Sequence, residues 1–275
     1  MTLEGALHER FGAGAPAVSA GAAAEAALAG PARRASVRRY RAGAPVDGEL
    51  LRLLCAIALS APTKSDLQQR DIVILESPEQ RRRITALLDE PWIEAAPAFL
   101  VFCGNNRRQR QISAWRGRPF ANDHLDAFFN ATVDAAIALG AFVAAAESIG
   151  LGCCPISAIR DHARAVTEIL ELPAHVFPVA GMTVGRPAAE APLTPRLPLD
   201  VTLHRDRFDE AQVRERIEAY DRRRAALRPY AHQRDVEVYG PTADYGWSED
   251  KARQYAVPLR TDFGAYVREQ GFDLG

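Results

Sequence analysis

The chain has 275 residues, enough for one large domain or two small ones. Hydrophobic residues make up 48% and charged residues 25%, ordinary globular usage that excludes a disordered chain, a collagen-like one and a disulfide scaffold. With 34 basic against 35 acidic residues the net charge is −1, so neither nucleic acid nor an anionic membrane is an expected partner.

In chain order, residues 2–11 show helical spacing, with Leu3, Ala6, Leu7 and Phe11 on one side. The Ala/Gly-rich stretch 12–30 reads as a loose linker and a second short helix; Glu25 interrupts any signal-peptide pattern. From Asp47, a plausible N-cap, DGELLRLLCAIALS is a helix. Asp71 to Glu76 is a short β-branched strand. Ser77-Pro78-Glu79-Gln80 then offers an N-cap serine, a proline at the first helical position and a glutamine placed for a capping box. Ala98 to Cys103 is continuously apolar and predicts a central, buried strand. Residues 104–122 are polar and Arg-rich and read as a long irregular loop, a kind that is often functional.

Asp123 to Ile149 is the longest helix, apolar nearly all round, as expected at the centre of a domain or at a subunit interface. Its uncharged run, Ala135 to Ala146, is shorter than the roughly 20 residues a bilayer span requires. A helix over 160–171 and a strand from His175 to Val184, interrupted by Pro178, follow. The Pro-rich stretch to Pro198 is extended, and 209–227 is a charged helix. The last 48 residues are rich in aromatics but lack aliphatic runs, so this tail is expected to pack on something else, such as another subunit.

Several motifs fail. Gly150-Leu151-Gly152 opens a G-x-G, but Pro155 holds the third glycine position and a helix precedes it, so no dinucleotide turn forms. No phosphate-binding P-loop or G-x-S-x-G is present, and the six scattered histidines do not predict a metal site. Cys55 and Cys103 read as small buried hydrophobes, and Cys153-Cys154 lacks metal-site spacing; four cysteines suit a reducing cytoplasm. What survives is Arg34-Ala35-Ser36-Val37-Arg38, whose alternation on an extended segment sets two guanidinium groups and a hydroxyl on one face, as a phosphate dianion requires. The turn 61–68 is rich in short hydrogen-bonding side chains and carries Lys64, one of two lysines. The small residues of 150–160 would let a planar ligand approach the backbone, and Pro195-Arg196 closes the set.

In this order and spacing, the chain resembles the FMN-dependent nitroreductase family, most closely its branch of larger NADPH-dependent nitroreductases and flavin reductases. The resemblance rests on R-x-S-V-R at 34–38, A-P-T-x-S-x-L-Q at 61–68, A-A-E-S-x-G-L-G at 145–152, I-S-A-I-R at 156–160, a Gly/Pro pattern ending at Pro187 and T-P-R-L-P at 194–198.

The resemblance implies an α+β fold, with a mostly antiparallel central sheet wrapped by helices and a C-terminal arm exchanged in a homodimer. It divides the chain into an N-terminal helical extension (1–30), an FMN-binding domain (31–208) and a C-terminal helix and arm (209–275). It places the FMN phosphate and ribityl end on the segment Arg34, Ala35, Ser36, Val37 and Arg38, and adds Arg196 and the neighbouring Thr194. Thr63 and Ser65 would contact flavin from the partner subunit; Pro155, Ile156, Ser157 and Ala158 would offer backbone groups to the ring edge; Glu90 is a further contact. The implied activity is a ping-pong, two-electron reduction of nitroaromatics, quinones or similar small-molecule acceptors by NADPH or NADH, with FMN carrying the chemistry and Arg38 stabilising its reduced, anionic form. The alternatives are a flavin reductase feeding a monooxygenase and a non-enzymatic FMN- or nucleotide-sensing protein. Thr194 stands where relatives often carry a basic residue, and Thr242 to Trp247 holds no arginine for the NADPH 2′-phosphate, so the choice of nicotinamide stays open.

Overall fold

The computed structural model describes residues 1–19 and 21–275 and divides into two compact units. The first unit comprises Met1–Ala35 and Pro192–Leu259; the second comprises Ser36–Ala191 and Arg260–Gly275. The chain's start packs with residues 192–259, so the units cut across the linear division at 30/31 and 208/209. The helices and strands in chain order are α1 (Leu3–Phe11), α2 (Ala22–Arg33), α3 (Gly48–Leu59), β1 (Arg70–Ile74), α4 (Pro78–Leu88), α5 (Pro91–Glu94), β2 (Ala98–Asn105), α6 (Arg107–Trp115) and α7 (Leu125–Ser148). They continue with β3 (Gly152–Ile156), α8 (Ala163–Ile169), β4 (Val176–Gly185), α9 (Leu199–Thr202), α10 (Val213–Leu227), α11 (Val236–Tyr239), α12 (Trp247–Tyr255) and α13 (Phe263–Glu269).

The second unit is built on an antiparallel sheet of order β1-β2-β4-β3. Strand β2 is buried along its whole length, because both its faces are covered. Its even positions, Leu100 and Phe102, pack with Leu54 of α3 and Phe142 of α7. Its odd positions, Phe99, Val101 and Cys103, pack with Ile84 of α4 and Val166 of α8. Period-two alternation between two apolar layers is what makes the strand read as one continuous apolar run. Pro178 lies at a register shift between β2 and β4, where a bulge tolerates a residue without an N–H. The local caps form as the sequence predicts: Asp47 accepts from the Leu50 amide at 3.0 Å and Ser77 from the Gln80 amide at 3.4 Å.

Three expectations need correction. Residues 104–122 are not an irregular loop, because 107–115 form α6. This helix has no apolar stripe; it is held by Arg108 on Asp71 (2.6 Å) and Arg110 on Asp123 (2.6 Å), contacts that periodicity cannot reveal. Helix α7, at 24 residues, is by length and composition apolar enough to cross a membrane. One face packs on the sheet and carries the fully buried Asp134, while Leu125, Phe129, Val133 and Ile137, at four-residue spacing, are exposed rather than buried.

The third correction concerns the tail, which does find core within its own chain. In the second unit Tyr266, Val267 and Phe272 bury against Ala131, Phe177 and Val179. The Tyr266 hydroxyl is 2.7 Å from Thr167 Oγ1, and Arg164 donates to Glu269 at 2.7 Å. In the first unit Trp247 meets Tyr220 edge-on at 5.6 Å, and Asp221 accepts from the Ser248 amide at the start of α12.

Candidate functional site

In the first unit, Arg34 and Arg196 come together as lining of a small cavity of ≈ 220 Å³, with Leu7, Phe11 and Pro31 as apolar wall. The organiser is Arg10, 6% exposed, whose guanidinium donates to the carbonyl oxygens of Ala32 (3.1 Å), Thr194 (2.9 Å) and Arg34. Its own carbonyl accepts from the Arg196 amide at 2.8 Å. Arg223 in turn donates to the carbonyls of His8 (3.0 Å), Glu9 and Arg10 (3.1 Å), capping the C-terminal end of α1, where the His8 carbonyl also accepts from the Gly12 amide. Arg10 thus ties together the two chain stretches that carry the expected phosphate arginines, and Thr194 takes part through its backbone. Among the described residues the cavity's charged lining is all arginine, a donor set that fits a phosphate dianion.

Sequence reasoning missed Arg10. The signal was present: Leu3, Ala6 and Arg10 are the buried positions of α1, which sets a guanidinium on the buried stripe of an amphipathic helix. A charge there is retained only with partners, and three carbonyls supply them.

The second unit begins inside the R-x-S-V-R segment, at Ser36. As the alternation predicts, Val37 is buried and Arg38 exposed, with Ser36 half-buried. The Val37 amide donates to the Cys153 carbonyl at 3.0 Å, laying this segment along β3. A Cβ on Gly152 would stand 2.5 Å from Val37 Cγ2, so the glycine makes room for Val37. Tyr40 continues the segment, donating to the Val37 carbonyl (2.8 Å) and Thr183 Oγ1 (2.7 Å), and burial pushes its phenol far above the ordinary range. The Arg38 guanidinium lies 5.6 Å from the centroid of Trp92, whose indole N–H donates to Glu90 at 3.0 Å. Glu90 therefore acts on this group through Trp92. Pro155 and Ile156 end β3, and Ser157 and Ala158 open the following 3-10 turn; only Ser157 of the four is exposed.

The loop carrying Thr63 and Ser65 is shaped by Asp134. Its carboxylate accepts from the Thr63 hydroxyl, the Lys64 amide (3.0 Å) and the Gln69 amide (2.9 Å), and lies 3.8 Å from the buried Arg70 guanidinium. Thr63 Oγ1 also accepts from the Gln68 amide at 2.9 Å, so this hydroxyl serves the loop itself. Arg70 donates to the carbonyls of Leu59 (2.8 Å), Ala61 (2.6 Å) and Pro62 (3.3 Å). Ser65, Asp66 and Gln68 all hold left-handed backbone (φ +48°, +57° and +53°), a strained run for residues with side chains. From α6, Arg108 reaches the Gln68 carbonyl at 2.8 Å, and Gln109 donates to that of Leu67.

The sequence pattern of the nitroreductase family matches residues 32–186, and that of the nitroreductase family C-terminal domain matches 194–275. An FMN reductase [NAD(P)H] from Bacillus subtilis is 32% identical over 244 residues, covering 87% of this chain and 94% of that protein. Among solved structures, NfrA2 from B. megaterium superposes with a TM-score of 0.81 at 30% identity, covering 90% of this chain and 98% of its own. The NADPH:FMN oxidoreductase from Vibrio harveyi, solved in complex with NAD+, gives a TM-score of 0.77 at 26% identity, covering 89% and 97%.

Proposed function

This chain belongs to the nitroreductase family, and we propose that it is an FMN-dependent NAD(P)H oxidoreductase that reduces small-molecule acceptors by two electrons. The observation that carries the reading is the cavity lined by Arg34 and Arg196, organised by Arg10, within a chain that matches both family patterns. FMN, when bound, supplies the redox chemistry. Arg34 and Arg196 hold its phosphate by charge-assisted bonds, and Ser36 adds a hydroxyl. Arg38, set against Trp92, supplies positive charge near the ring; Pro155 to Ala158 offer backbone groups at the end of β3. The FMN-binding stretch is 31–208, preceded by the 1–30 extension and followed by the 209–275 helix and arm. The four cysteines are buried, and the reading places the protein in a reducing cytoplasm.

Flavin reduction is a second reading, favoured by the B. subtilis relative at 32% identity. Purified protein should be yellow and bleach on anaerobic addition of NADPH or NADH. Reoxidation by a nitroaromatic or quinone at catalytic rates supports the first reading; reoxidation by free FMN alone supports the second. A colourless protein that neither binds FMN nor oxidises either nicotinamide would sink both.

The reading includes a homodimer. On α3, Leu53 and Ile57 are exposed, and on α7 Phe129, Val133 and Ile137 form an exposed apolar line. An apolar face of this kind on a soluble enzyme is suited to a second copy. Phe129→Glu combined with Ile137→Glu should turn a dimer into a monomer in sedimentation experiments, with loss of bound FMN if the partner's loop completes the site. A double variant that remains dimeric places the interface elsewhere.

A further inference from the structure

The loop between α3 and β1 is fixed by hydrogen bonds and not by packing. Residues 61–68 are all half-buried or exposed, and burial resumes only at Gln69 and Arg70. From α7, the fully buried Asp134 carboxylate grips both ends of the loop. It takes the Thr63 hydroxyl and the Lys64 amide on one side and the Gln69 amide on the other. Arg70, with Arg108 and Gln109 of α6, holds carbonyls along the same stretch. What this clamp leaves projecting is the exposed tip Lys64-Ser65-Asp66, with left-handed backbone at Ser65 (φ +48°) and Asp66 (φ +57°). The Lys64 ammonium is 4.0 Å from Asp126, which also belongs to α7.

A mere connection between a helix and a strand requires none of this. Left-handed positions in an ordinary turn go to glycine or asparagine, which adopt them at little cost, yet residues 61–69 contain neither. A carboxylate taken out of water is costly as well, unless its oxygens are fully bonded. Backbone strain held in place by over-determining contacts is characteristic of segments that present groups to a ligand. The tip presents the Ser65 hydroxyl and the Lys64 ammonium, donors suited to the carbonyl-bearing pyrimidine edge of a flavin. Asp134 also stands beside Val133 and within one turn of Ile137, both in the exposed apolar line of α7. The tip is thereby set in register with the face that the reading above gives to a second copy.

We propose that Asp134 is a positioning residue for the cofactor: without touching the flavin, it holds the loop tip in the pose that the partner's flavin ring meets. The proposal rests on the reading above, in which the loop of one protomer completes the FMN site of the other. It adds a direction of action. Arg34 and Arg196 act on the phosphate of the flavin in their own protomer, whereas Asp134 acts on the ring of the flavin across the dimer.

The test is titration of the full-length apoprotein with FMN and with riboflavin, at a temperature where each variant is fully folded by circular dichroism. Asp134→Asn should weaken both ligands by the same factor, about tenfold, because the ring is common to them. Thr63→Val removes one bond and leaves the buried carboxylate beside Arg70. It should weaken both ligands by a smaller common factor, and it serves as the probe if Asp134→Asn folds poorly. Mixed dimers separate positioning from support of the fold. An Asp134→Asn protomer is paired with one carrying Arg34→Ala and Arg196→Ala, which joins an intact clamp to an intact loop in one of the two sites. One site per dimer should then regain parental affinity. The proposal is overturned if Asp134→Asn binds both flavins as the parent does, or if it loses FMN alone. It is also overturned if no mixed dimer regains a parental site, the result expected when Asp134 serves only its own protomer. A parent protein that binds neither flavin refutes the oxidoreductase reading and the proposal together. Parental FMN affinity in Asp134→Asn beside a loss in Arg34→Ala refutes the proposal alone.

Discussion

Replacing Asp134 with alanine should cost about 3–5 kcal/mol of folding stability, the loss typical when one partner of a buried ion pair is removed. The carboxylate and the Arg70 guanidinium are both buried (side-chain exposure 0% and 3%), and each holds several backbone groups besides. Without Asp134, the Lys64 and Gln69 amides lose their acceptor, and Arg70 keeps only carbonyls. Desolvation is severe for all of them, so the effect should far exceed that of a surface pair, worth about 0–1 kcal/mol. Urea unfolding checks this, with a lower midpoint at an unchanged slope. Asp134→Asn should be milder, since the amide oxygen still accepts, but its NH2 group would face the Arg70 and backbone donors. A shift below about 1 kcal/mol for Asp134→Ala would show that solvent or a rearranged loop replaces the carboxylate. The loop consequence is testable in the same variant. Ser65, Asp66 and Gln68 hold left-handed backbone only because surrounding contacts over-determine them, so proteolysis between residues 63 and 69 should accelerate.

Asp134 also marks where reading the sequence stops. Helices α3 and α4 are legible because their signals are local: Asp47 and Ser77 cap amides three residues away in the chain. Strand β2 is legible because burial on both faces leaves a continuous apolar run. The family motifs at 34–38 and 194–198 are legible as patterns, but Arg10, which ties them together, is not adjacent to either. Its bond to Thr194 spans 184 residues and Asp134's to Thr63 spans 71, so neither leaves a short-range trace. Helix α6 is hidden for the same reason, since arginines of a largely polar helix find carboxylates at Asp71 and Asp123. The tail was misjudged because its apolar content is aromatic and sparse. Single rings such as Tyr266 and Phe272 complete a core that the rest of the second unit begins. Gly152 makes room for Val37, a neighbour 115 positions away that spacing along the chain does not name.

The phosphate clamp should separate FMN from riboflavin, which differ only by the phosphate. Each of Arg34 and Arg196 would make charge-assisted bonds to a group carrying about −1.5 to −2 charges. Arg34→Ala and Arg196→Ala should therefore each weaken FMN by about 1.5–3 kcal/mol, roughly ten- to a hundredfold, and barely change riboflavin. Both variants should purify pale and recover colour at high FMN. Arg10→Ala provides the contrast, because its guanidinium is already spent on the carbonyls of Ala32, Thr194 and Arg34. Losing it should lower thermal stability and weaken FMN together, by loosening both strands of the clamp. Arg38 is set apart from all three by its place over Trp92. Arg38→Ala should retain FMN but lower the flavin's reduction potential and slow its reduction by NAD(P)H, as expected of a cation that stabilises negative charge on the reduced ring. Equilibrium titration of the apoprotein with both ligands, followed by flavin fluorescence, reads the discrimination directly. If Arg34→Ala loses FMN and riboflavin equally, the residue supports the fold of the first unit, and the phosphate must be held by other groups.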